Sequence, residues 1–266
     1  MGVHMFAWLN DLPVWLGFLI VTGTLVVVTC AGIALLRPFV LKVFGPEPGR
    51  NEQVTMVLTV GGVFYGLLLG LVAAATYQAY DSAQDLVSSE AAAVGTLYRE
   101  VSAYPEPERV VLQQDLVDYT NNLLTVAFPD LRAGQDPPGG TAIVGRFQQH
   151  LLAFEPRTRT QEIVHTAAIE QFAKFDDQRR ERINATAGGL PDVLWGVIVL
   201  GALVNLAMLC LFSLSTRGAH LLLGGLFAFF LGTMIFLIAA LDYPFRGDLS
   251  VSPDPVESMY HNVMNR

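Results

Sequence analysis

Cysteine is almost absent. Cys30 and Cys210 are the only two, each inside a long apolar run, so neither a disulfide framework nor a zinc site is supported, and both read as small packing residues. Charge is scarce as well: only 15% of the residues are Asp, Glu, Lys or Arg. The bases are outnumbered 24 to 16, for a formal net charge of -8, which disfavours a nucleic-acid partner because phosphate binding requires clustered Lys and Arg. The sequence holds no P-loop, dinucleotide fingerprint, HExxH or CxxC pair. Its five histidines, His4, His150, His165, His220 and His261, stand on separate segments with no metal-ligand spacing. No nucleophile, base and orienter assemble from the motifs present, so no enzyme, cofactor or metal site is expected. The N-terminal MGVHMFAWLNDLP lacks both a basic n-region and a small-residue cleavage signature, and the apolar run after it is expected to be a retained helix.

What the chain has instead is length without charge. Of its 266 residues 52% are hydrophobic, too apolar for an ordinary soluble domain. Crossing roughly 30 Å of hydrocarbon takes about 20 apolar residues in a helix. Val14 to Leu36, Val54 to Tyr77, Val193 to Leu214 and Leu221 to Leu241 meet that length without an internal Lys, Arg, Asp or Glu. The fold class that follows is all-α: an integral membrane protein with four transmembrane helices and a helical bundle inserted between the second and third spans. Residues 1–80 form a first hairpin, 81–189 the bundle, and 190–266 a second hairpin with a short polar tail. Phe6, Trp8 and Trp15 suit a membrane interface.

The second span organises the rest. It places Gly62, Gly66, Gly70 and Ala74 at four-residue spacing, a stripe of small residues that lets another helix approach closely, from this chain or a neighbouring subunit. Nothing between Tyr77 and Arg99 breaks a helix, so the span is expected to continue into water, where Asp81, Asp85 and Glu90 either solvate it or line a vestibule. Pro105 and Pro107 then end it. Leu112, Leu116, Tyr119, Leu123 and Val126 form the apolar face of the next helix, which Pro129 is expected to stop. A turn-rich stretch follows, then a helix with Val144, Phe147, Leu151 and Phe154 inward. Thr158 and Gln161 fit a capping box for a further helix carrying Val164, Ala168, Phe172 and Phe175. The mixture of Arg179, Arg180 and Arg182 with Asp176, Asp177 and Glu181 reads as a solvated face.

In the last two spans, Asn205 is expected to hydrogen-bond a neighbouring helix, with a place on a permeation path as the alternative. Gly225, Ala228 and Gly232 form a second small-residue stripe, and the pair should be an antiparallel hairpin. Asp242, with Arg246 and Asp248, reads as an interfacial anchor with its charges in water, or else Asp242 bonds a helix end or lines a mouth. Arg37, Lys42, Arg50 and Arg217 in the short loops put those loops in the cytoplasm by the positive-inside rule and the bundle outside. Lys174, Arg179, Arg180 and Arg182 weigh the other way.

With these residues in view, the chain resembles the bestrophin-like family of bacterial membrane proteins. The resemblance rests on NEQVTMVLTVGGVFYGLLLG with YDSAQDLVSSEAAAVGTLYREV, on FEPRTRTQ in the insert and on LDYPFRGDLSVSP after the last span, and it covers nearly the full length. It implies a multi-pass protein of the bacterial inner membrane with a distant likeness to bestrophins, which are pentameric anion channels with cytosolic helical domains and a hydrophobic neck on the second span. On that likeness Val60, Phe64 and Leu68 become candidates for a constriction. No acidic cluster matches the calcium clasp of animal bestrophins, so calcium gating is not implied. The expected partners are the lipid bilayer, further copies of the chain and small ions. A non-transporting sensor or scaffold whose insert binds a partner is the alternative.

Overall fold

The computed structural model describes residues 7–44, 49–212 and 216–265. His4, Phe6, the Pro46 and Pro48 of the first connector, and the end of the third span at Leu214 lie outside the described residues. All regular structure among the described residues is helical. A short 3-10 turn, Ala7–Asp11, precedes α1 (Val14–Phe44) and α2 (Gly49–Val101). These are followed by α3 (Glu108–Asn122), α4 (Phe128–Arg132), α5 (Gly140–Leu152) and α6 (Arg159–Thr186). The last helices are α7 (Asp192–Leu211), α8 (Arg217–Leu241) and α9 (Asp254–Met259). The chain divides into two compact units, Met1–Gln78 with Gly189–Asp242 and Ala79–Gly188 with Tyr243–Arg266. The 53-residue α2 contributes to both.

In the first unit, α1, α2, α7 and α8 are each long and apolar enough to cross a bilayer. β-Branched residues crowd α1, yet lipid offers the backbone no other partner, so helix is enforced. α1 runs past the expected end of the span at Leu36, through Pro38, to Phe44. Pairing differs from two sequential hairpins. α8 lies along α1 for most of its length, and α7 also packs on α1 but only lightly on α8. Glycine is the reason. A Cβ on Gly224 would stand 2.5 Å from Ile33 Cδ1, one on Gly232 2.9 Å from Thr22 Cα, and one on Gly225 3.5 Å from Cys30 Sγ, so the glycine side of α8 admits the side chains of α1 at close range. Phe18 closes the contact edge-on against Phe229 and Phe236, with ring centroids 5.9 and 5.4 Å away.

The second unit is a helical bundle whose core joins Val87, Val94 and Leu97 of α2 to Leu112 and Leu116, Phe147 and Leu151, and Phe172 and Phe175. Thr158 caps α6 by accepting from Gln161 N at 3.2 Å, while Gln161 Oε1 reaches back to Arg157 N at 2.7 Å. Pro129 does not stop the helix that begins at Glu108. A π-turn at Leu123–Ala127, in which Phe128 N–H donates to Leu123 O, widens the backbone ahead of it, and α4 continues to Arg132. The extra residue shifts the inward face from Val126 to Ala127. The expected polar tail is another correction. Phe245, Val251 and Val256 are buried in the bundle core, and Gly247 N, at φ 75°, donates to Arg132 O at 3.0 Å. Three apolar side chains outweigh the charges around them, so residues 243–265 belong with the insert.

One close approach in the first unit is testable. A Cβ on Gly201 would fall 2.3 Å from Tyr65 Cε2, whereas one on Gly196 of the same helix meets nothing within 4 Å. Overpacking costs about 1–3 kcal/mol and alanine returns about 1 kcal/mol of helix propensity, so Gly201→Ala is expected to lower the melting temperature in detergent and Gly196→Ala to leave it unchanged or raised.

Candidate functional site

The faces of α2 are sorted by one hydrogen bond. Tyr65 OH donates to Ile198 O at 2.7 Å, its ring lying over Gly201. A phenol in a span needs an acceptor, since no water is present to supply one. With Tyr65 turned to α7, Leu69 and Val72 follow into a core with Trp195, Ile198, Ala202, Leu231 and Ile235. The opposite side of α2 is left as a ridge: Val60, Phe64, Leu67 and Leu71 are exposed, Phe64 to 69%. Leu68, grouped in the sequence with Val60 and Phe64, is partly buried against that core instead. Neither Tyr65 nor Gly201 was singled out in the sequence; the one available signal was a tyrosine at the centre of a span.

The glycine stripe of α2 faces little of its own chain. A Cβ on Gly66 or Gly70 would meet nothing within 4 Å, and one on Gly62 only Asn205 Oδ1 at 3.8 Å; Ala74 is exposed. Asn205 is buried, but its amide donates to Gly201 O of its own helix at 2.8 Å and not to a neighbouring helix. Gly225 and Gly232 sit on the α1 contact. Asp242, at the end of α8, is 6% exposed. Its Oδ1 accepts from Leu190 N at 2.6 Å and its Oδ2 from Trp195 Nε1 at 3.1 Å, tying the end of α8 to the start of α7. Asp81 and Asp85 are exposed on α2.

Glu90 behaves otherwise. It is fully buried, accepting from Arg182 Nε at one oxygen and from Tyr119 OH at the other. Burial is the largest influence and works against the charge on Arg182, but Glu90 and Tyr119 together outweigh it and raise the guanidinium pKa. Burial, then Glu90, pushes the Tyr119 phenol up. Arg179 is buried as well, and of the three arginines expected on a solvated face only Arg180 is exposed. The period of α6 explains the correction: 172, 175, 179 and 182 are spaced three and four apart, so the two arginines continue the inward stripe of Phe172 and Phe175.

Further polar ties join the bundle helices. Asp115 accepts from Arg146 Nε and His150 Nδ1, each at 2.6 Å, and its hydrogen bond raises the Arg146 pKa. Tyr104 OH lies 2.7 Å from His165 Nδ1, where burial lowers the imidazole pKa. Among the described residues no cluster of three metal-ligating side chains occurs. The arrangement supports structure and electrostatics, with an apolar ridge in the first unit and a buried charged network in the second.

Removing one member of a buried ion pair leaves the other uncompensated, at about 3–5 kcal/mol, whereas replacing both with apolar groups is nearly neutral. Arg182→Met is therefore expected to destabilise the protein by about that amount, and Glu90→Leu with Arg182→Met to recover part of it, the Tyr119 hydroxyl then lacking its acceptor, as read by denaturant unfolding of the three forms. Additive losses in the double variant would show that the two residues do not act as a pair.

No curated protein sequence is significantly similar to the chain. Solved structures are similar in fold. A crystal structure of a bacterial bestrophin homologue from Klebsiella pneumoniae, phased on zinc, superposes with a TM-score of 0.69 at 13% identity, covering 93% of this chain and 97% of that one. A point mutant of the same homologue, with threonine in place of a leucine, gives 0.68 at 13% identity over 93% and 98% of the two chains. A second point mutant, with alanine in place of an aspartate, gives 0.63 at 15% over 93% and 97%. The sequence model of the bestrophin-like domain matches residues 23–256, nearly the whole chain, and this multi-pass membrane protein therefore belongs to the bestrophin-like family.

Proposed function

We propose that the protein is an ion-conducting pore built from several copies of the chain around a symmetry axis, with the outward ridge of α2 lining the path. One observation carries this reading. Tyr65 commits one side of α2 to the protomer and leaves Val60, Phe64, Leu67 and Leu71 as an apolar ridge exposed among the described residues. A single four-helix protomer has no room for an ion path, so a ring is required. Phe64 is the most exposed large side chain of the ridge between Val57 and Tyr77, and copies of it around an axis form a hydrophobic constriction of the kind that gates by dewetting. The stripe of Gly66 and Gly70 lies beside the ridge, open to close approach by the next α2. Membership of the bestrophin-like family supports the same assembly. Catalysis has no part in it. The family supports the inner membrane of a bacterium, and the charges of the short loops favour the bundle on its outer side.

The two features separate experimentally. Phe64→Ala is expected to raise ion flux through purified protein in liposomes severalfold without changing oligomer size. Absence of flux from wild-type oligomers and variant alike would overturn the pore.

Gly66→Leu adds bulk where the protomer has none to meet. Its thermal stability is expected to be kept while the oligomer, read by light scattering in detergent, dissociates. An intact oligomer would place the subunit contact elsewhere.

A further inference from the structure

A cavity of about 230 Å³ opens within the bundle unit, walled by Tyr119 and Asn122 of α3, the π-turn and α4, the first turn of α5 and the Arg179–Thr186 end of α6. Its charged lining is unusual. Arg182 has a carboxylate of its own in Glu90. Arg179, whose side chain is 9% exposed, has none in hydrogen-bond range. Its Nη2 donates to the neutral hydroxyl of Thr141 at 2.8 Å. The nearest carboxylate, Asp176, stands 4.0 Å from Nη1 and gives its other oxygen to Arg180 at 2.6 Å. A desolvated guanidinium with half-shared compensation is costly to hold empty.

The start of α5 adds to the same field. Gly140 and Thr141 line the cavity, and the cap residue Gly139 offers no side-chain acceptor; the Ala142 N–H donates to Gly139 O at 3.0 Å, so the Gly140 and Thr141 N–H groups and the positive end of a 13-residue helix lie at the wall. These groups converge. A Cβ on Gly140 would stand 3.6 Å from Asn122 Oδ1 and 3.9 Å from Arg179 Nη2, which puts helix start, amide and guanidinium around one space the size of a small functional group.

We propose that this cavity binds a small oxyanion, a carboxylate or phosphate, held by Arg179 and the open first turn of α5, with the Thr141 hydroxyl and the Asn122 amide as neutral partners. The guanidinium fork matches the two oxygens of such a group, and a bound anion completes the counter-charge that Asp176, shared with Arg180, supplies only in part. Asp136 is exposed and is the one acid in the lining. It repels a free inorganic anion and attracts the ammonium of an amino acid whose carboxylate enters first. The two sources of the oxyanion therefore differ in their response to Asp136. The site is independent of the pore reading, since it lies wholly in the second unit.

The test is isothermal titration calorimetry on the full-length protein in detergent, with inorganic phosphate, acetate and glycine as probes. Saturable binding of at least one probe is expected, weakened about tenfold or more by Arg179→Met. That variant removes an undercompensated buried charge, so its melting temperature is expected to stay level or rise while binding is lost. Gly140→Val leaves Arg179 in place and puts methyl groups before it; it is expected to abolish binding on its own, and it decides the matter should Arg179→Met not fold. Asp136→Asn is expected to tighten phosphate if the ligand is an inorganic anion and to weaken glycine if it is an amino acid. No saturable binding of any probe, or affinities unchanged by both Arg179→Met and Gly140→Val, would overturn the proposal.

Discussion

The rotation of α2 about its own axis is the constraint on which the membrane unit depends, and Tyr65 sets it. A phenolic hydroxyl in hydrocarbon has few places to go. Here it reaches Ile198 O at 2.7 Å, and it does so only because Gly201 leaves room for the ring, with Cε2 standing where a Cβ would be 2.3 Å away. The hydrogen bond itself contributes about 1 kcal/mol or less in such a setting. Its larger effect is on register. Leu69 and Val72, four and seven residues on, are drawn into the core with Trp195 and Ile198, and every residue on the far side is thereby turned out. The glycine stripe and the Phe64 ridge lie on the faces turned away from that core.

Helix contacts in lipid follow surface shape more than chain order, because the hydrocarbon is as apolar as the side chains and gives no hydrophobic reward for pairing sequential spans. This is why α8 pairs with α1 far more extensively than with α7. The glycines at 224, 225 and 232 take the ridge of Thr22, Cys30 and Ile33 against them, and Asp242 then needs only to accept from Leu190 N and Trp195 Nε1 to hold the chain ends of α7 and α8 together.

What could be read in advance divides along the same physical line. Apolar length marks the four spans because a bilayer imposes it, and the inward stripes of Leu112, Leu116, Phe147, Leu151, Phe172 and Phe175 are legible because burial imposes period. Proline was misleading in the bundle: Pro129 sits inside the first turn of α4. Its missing donor is absorbed by a π-turn, and that context does not show in the local sequence. Glu90 and the arginines of α6 were hidden by their chemistry, since a charged residue on an inward stripe looks like a break in the stripe until its partner is known. The partner lies 92 positions away, beyond any local pattern. Tyr65 with Gly201 is the same case in lipid.

A bundle that buries Glu90, Arg182, Arg179 and Tyr119 together has taken on a desolvation cost that well-packed hydrophobic residues of similar volume would avoid. Arg182 and Tyr119 offset that cost by closing on Glu90, and a closed, satisfied network of this kind fixes α2, α3 and α6 in one register. Arg179 has no such return from its own chain, for its bond to Thr141 is neutral and Asp176 is shared with Arg180. Stability alone gives no reason for a guanidinium at that position, where leucine or methionine would continue the stripe of Phe172 and Phe175 at lower cost. The asymmetry between two arginines three residues apart on one helix is what separates structural charge from charge held ready for something else.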